Sequence, residues 1–88
     1  MRDFVKDFLK GKVSKTDLCT VCGKNNVDAE LIKKVRINIA RHGICNIIFN
    51  TTNTSEHSRL AFDLKDTLKD EFNFINYSDT FTCIAYEK

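Results

Sequence analysis

The chain has 88 residues, of which 42% are hydrophobic and 30% charged, with a formal net charge of +2. That length suits one domain, residues 1–88, and that balance excludes an intrinsically disordered chain. No apolar run approaches the roughly 18 residues that a membrane span needs, and the mixed charges of "RDFVKDFLKGK" are not a secretory pattern.

The expected setting is therefore cytoplasmic, without membrane contact, where the four cysteines stay reduced. Plentiful Asn, Lys, Ile and Phe suggest an AT-rich genome such as a phage's. The modest net charge hides an asymmetry. Residues 1–54 hold ten Lys/Arg against five Asp/Glu, whereas residues 55–88 hold four against seven. A polyanion would be drawn to the N-terminal part.

Each of the three glycines follows a stretch with helical spacing. Phe4, Val5, Phe8 and Leu9 share one face before Gly11, which predicts a first helix. Ser14 and Asp17 have the spacing of a capping box, and Leu18, Cys19 and Cys22 then share a face. This predicts a second, short helix closed by Gly23. Asn26 caps a third helix in which Leu31, Ile32, Val35 and Ile39 form the buried stripe. Asp28 and Glu30 sit at its positive end, and Arg41 and His42 precede Gly43 at its negative end. Within it "VRINI" alternates like a strand, so a shorter third helix is the rival reading.

After Gly43 the period changes. "ICNIIFNT" reads as a strand buried on both faces. Thr54 or Ser55 caps a fourth helix with Leu60, Leu64, Leu68 and Phe72 at every fourth position. "FINY" and "TFTCIAY" then form two strands joined across "SDT". The expected fold is α+β, with three N-terminal helices followed by strand-helix-strand-strand, in the order α-α-α-β-α-β-β.

The cysteines have two readings. Cys19, Cys22, His42 and Cys45 run as C-x2-C-x19-H-x2-C, close to the spacing of a tetrahedral zinc site. Against zinc, the intervening residues form a helix of about 15 residues, more than 20 Å long at about 1.5 Å per residue. Cys45 lies in an apolar run, where a thiol behaves as a small hydrophobe, and Cys83 in "FTCIAY" has the same character. The favoured expectation is no cofactor.

"KTDLCTVCGKNNVDAELIKKV", residues 15–35, resembles the helix-turn-helix of bacterial and phage DNA-binding proteins, including the winged-helix group. Leu18 matches the apolar position of the first helix and Cys19 the small contact residue. Cys22 precedes the turn glycine Gly23, and Ala29 and Ile32 match buried positions of the second helix. With Gly43 and the following strand, the resemblance extends loosely to about residue 50. It implies a regulator whose helix from Val27 to Arg41 enters the major groove. Lys33, Lys34, Arg36 and Arg41 would contact phosphates or bases, and Asn25 and Asn26 would set the turn against the backbone.

Two apolar residues do not fit their surroundings. Ile37 sits among the lysines, and Phe62 lies opposite Leu60, Leu64 and Leu68. They pack elsewhere in the fold, or they form a partner surface for a host protein or a homodimer. A third use, RNA stacking on strand aromatics, would draw on Phe74, Tyr77, Phe81 or Tyr86. His57 lies between Glu56 and Ser58, but sequence neighbours on a helix do not face one another. No phosphate loop or nucleophile elbow is present. The sequence therefore reads first as a non-enzymatic DNA-binding regulator, then as a factor acting on a host protein, then as an RNA-binding module.

Overall fold

The computed structural model describes residues 2–88. Seven elements follow in the chain: α1 (Asp3–Leu9), β1 (Thr20–Cys22), α2 (Ala29–His42), β2 (Ile44–Ile48), α3 (Thr54–Leu68), β3 (Phe72–Tyr77) and β4 (Thr82–Glu87). Short 3₁₀ turns at Lys15–Asp17 and Ser78–Thr80 lead into β1 and join β3 to β4.

The strands form one sheet in the order β1-β2-β4-β3. β1 lies parallel to β2, and β4 runs antiparallel to both β2 and β3. α2 and α3 therefore each carry the chain back over the sheet between parallel strands. One face holds the larger core. There Leu31, Val35 and Ile39 of α2 and Leu60, Leu64 and Leu68 of α3 pack with Val21, Cys45, Ile47 and Cys83. Opposite them, Val5 of α1 packs with Leu18, Ile44 and Ile84. The alternation of strand side chains divides the residues between the two layers.

The fold is α+β, but its order is α-β-α-β-α-β-β, with one N-terminal helix in place of the expected three. The capping box is real: Ser14 N donates to Asp17 Oδ2 at 2.9 Å, and Thr16 N donates to Ser14 Oγ at 3.2 Å. It caps only the 3₁₀ turn. Leu18 is already extended (ψ 152°), and Thr20 and Val21, both β-branched, continue as a strand against β2. Gly23 closes no helix; its N–H donates to the Ile48 carbonyl at 2.7 Å, prolonging the ladder. The first helix of a helix-turn-helix is thus replaced by an edge strand.

Smaller corrections follow the same physics. Asp28, not Asn26, caps α2, its side chain accepting from Leu31 N at 2.9 Å. Asn53, not Thr54 or Ser55, caps α3 by accepting from Glu56 N at 2.9 Å. "VRINI" is helical throughout, and Phe72 opens β3 instead of extending the α3 stripe. No helix among the described residues is long and apolar enough to cross a membrane.

Candidate functional site

β3 is an outer strand of the sheet, so one row of its N–H and C=O groups has no strand neighbour among the described residues. The other outer strand, β1, is only three residues long. β3 spans six, "FNFINY", and carries no charge, proline or glycine. Those are the devices that commonly blunt a sheet edge.

Beside this edge runs a groove of about 240 Å³ between α3 and β3. Ser58, Ala61, Phe62 and Lys65 form its helical wall, and Phe74 and Asn76 line it from the strand. Phe62 is 66% exposed, the highest value among the exposed large hydrophobic residues. The residues that hold α3 to the sheet, Leu60, Leu64 and Leu68, are fully buried on its other side. Burial there leaves Phe62 and Lys65 facing outward along the groove.

The groove is anchored at one end by His57. Its ring is fully buried, edge-on to Phe49 and Phe81 at centroid distances of 5.6 and 5.9 Å. Nε2 lies 2.7 Å from Asn76 Oδ1. An amide oxygen only accepts, so Nε2–H is the donor of this bond, and Nδ1 is buried without a hydrogen-bond partner. Phe81 holds this corner at φ 54°, the one positive φ at a non-glycine residue among those described. His57 faces the core while Ser58 lines the groove, so the adjacent Glu56, His57 and Ser58 form no catalytic grouping.

The expected nucleic-acid residues occupy another surface. Asn25 and Asn26 are exposed in the loop before α2, and Lys33, Lys34, Arg36 and Arg41 are exposed on the helix. Two of these cations are engaged. Lys34 pairs with Glu30 at 3.3 Å, and Arg36 forms a two-point pair with Glu71, with hydrogen bonds of 3.1 and 2.6 Å. That hydrogen-bonded pairing lowers the Glu71 carboxyl and raises the Arg36 guanidinium from their ordinary pKa values. Ile37, 40% exposed, also lies on α2 and lines none of the α3–β3 groove, so it and Phe62 belong to different surfaces.

The four zinc candidates do not form one site. A three-residue spacing keeps two side chains together on a helix but sends them to opposite faces of an extended chain. Cys19 and His42 share a hollow with Arg41 at the end of α2, while Cys22 lines a different hollow beside Gly23 and Lys24. Cys45 is fully buried, its thiol pushed up to about 12 by desolvation and then by the neighbouring Cys19. Among the described residues, no three His, Cys, Asp or Glu side chains are placed to hold a metal ion.

The strand aromatics are half-buried: Phe74 against the larger core, and Tyr77 and Tyr86 against the smaller one. Phe81 is half-buried at its turn. The sequence singled out Phe62 but not its partner in the site, the open β3 edge. Strand order, which makes β3 an edge, leaves no local mark in a sequence.

Comparisons with protein-family models, with curated proteins and with solved structures returned no match.

Proposed function

We propose that this chain is a non-enzymatic protein-binding module that takes an extended segment of a partner protein as an added strand beside β3. Main-chain hydrogen bonds along the edge would supply affinity, and the α3–β3 groove would receive alternate side chains of the segment. The supporting observation is the 66% exposed Phe62 next to an uncharged six-residue edge strand. An aromatic left in water beside unpaired backbone groups offers both apolar and polar contacts to a guest strand. A module of this kind acts by occupancy, masking or redirecting the protein it holds, which suits a phage factor acting on a host protein.

Selection from a random-peptide display library tests this reading. Enriched peptides should carry apolar residues at every second position. Their binding should be lost with Phe62→Glu and with Phe74→Pro, which removes an N–H from the open side of β3, and kept when Lys33, Lys34 and Arg41 are changed together to alanine. Failure to enrich any peptide, or enrichment indifferent to the β3 and Phe62 variants, rejects the docking edge.

A second reading, duplex-DNA binding along α2, is favoured by one feature. Lys33 and Arg41 are exposed on the same helix as Lys34 and form no ion pair among the described residues. It predicts salt-sensitive gel shifts that the triple alanine variant abolishes.

A further inference from the structure

We propose that β3 pairs with β3 of a second copy of this chain, antiparallel about a twofold axis, so that the free protein masks its own docking edge. The proposal rests on the reading of β3 as a docking surface and names one occupant for it. Antiparallel neighbours share a sheet face, so the axis must pass through a residue and not between two. The middle of the strand is Phe74 and Ile75, and both line the same groove as Phe62. An axis at either one brings the two Phe62 rings toward each other on the helical face.

Charge distribution favours a copy as the occupant. No charge lies on β3, so self-pairing sets no like charges opposite one another, the usual obstacle to joining identical strands. On α3, Ser58 lies four residues before Phe62 and Lys65 three after it, and all three line the groove. In an antiparallel arrangement centred on Phe62, each Lys65 therefore meets the second copy's Ser58, a hydroxyl acceptor, and not its lysine. The interface is isologous and closed, which yields a dimer and not a fibre. An eight-stranded sheet results, with both α3 helices over its centre.

Light scattering across a concentration series tests the pairing, using the wild type, Phe62→Glu, Phe62→Arg and an equal mixture of the two variants. Wild type should reach about twice the 10.1 kDa chain mass. Each variant alone should dimerise about tenfold or more weakly, because two like charges would meet at the axis. The mixture should regain the dimer, since glutamate then meets arginine. Phe62 is already exposed, and circular dichroism with thermal melts confirms that both variants fold. A monomeric wild type, a dimer unmoved by both variants, or a mixture that stays monomeric each overturns self-pairing. If a monomeric chain still selects alternating peptides at β3, the docking reading stands and only the choice of occupant fails.

Discussion

His57 Nε2 lies 2.7 Å from Asn76 Oδ1, and this hydrogen bond ties the first turn of α3 to the outer strand of the sheet. The imidazole is fully buried and its other nitrogen has no partner, so the ring depends on Asn76 for its one polar contact. Replacing Asn76 with alanine strands a buried N–H. The expected loss is about 1–3 kcal/mol of unfolding free energy, measured by urea denaturation. His57→Leu in the Asn76→Ala background removes the stranded donor and should recover part of that loss. Equal stability of Asn76→Ala and wild type would show that water satisfies Nε2, and the proposed anchor would be lost.

The four thiols should divide into two classes. Cys19 and Cys22 are exposed, whereas Cys45 and Cys83 are buried in the layer beneath α2 and α3. Burial first, and a neighbouring thiol second, push Cys45 and Cys83 up to about 12. An aromatic disulfide reagent should label two thiols rapidly in native protein and the other two only at the rate of unfolding. The linkage has a definite sign. Each buried thiol keeps a proton that the unfolded chain releases, so its contribution to stability is complete below the ordinary thiol pKa of about 8.5. Stability should fall as pH rises from about 9 toward 12. Rapid labelling of all four thiols in native protein would contradict the buried assignment.

Most elements were legible where the signal is local. Leu31, Val35 and Ile39 of the expected stripe are buried with Ile32 partly so, α2 ends before Gly43, and the hairpin across Ser78–Thr80 forms as expected. Each depends on residues within a few positions of one another. β1 leaves no local mark because the strand that it pairs with is remote in the chain. Thr20 pairs with Asn46 and Cys22 with Ile48, 26 residues along the chain, while a genuine capping box beside it advertised a helix. That one error also paired Cys19 with Cys22 on a single face. The site was legible in part. Phe62 announces itself as an apolar residue opposite a leucine stripe, but the open edge that gives it meaning comes from β4 inserting between β2 and β3. Insertion order is set by tertiary packing, which no short window of residues encodes.

Gly43 and Gly11 provide a matched comparison of what a left-handed position costs when it is crowded. Both have positive φ, +81° and +80°. Alanine at either should cost about 1–2 kcal/mol from the backbone alone. At Gly11 an added Cβ meets nothing within 4 Å. At Gly43 it would lie 2.9 Å from Val5 Cγ2 and 3.1 Å from the Cδ atoms of Arg2 and Glu87. Arg2 also caps α2, donating to the Arg41 and Ala40 carbonyls at 2.6 and 2.8 Å, so its displacement would loosen a helix end. Val5 is fully buried against Ile44 and Ile84 and has no room to retreat. Gly43→Ala should therefore lose about 1–3 kcal/mol more than Gly11→Ala, the range expected for overpacking. Denaturant melts of the two variants measure the difference. Equal costs would mean that α1 shifts freely on the sheet, and Val5 could then not be holding the smaller core together.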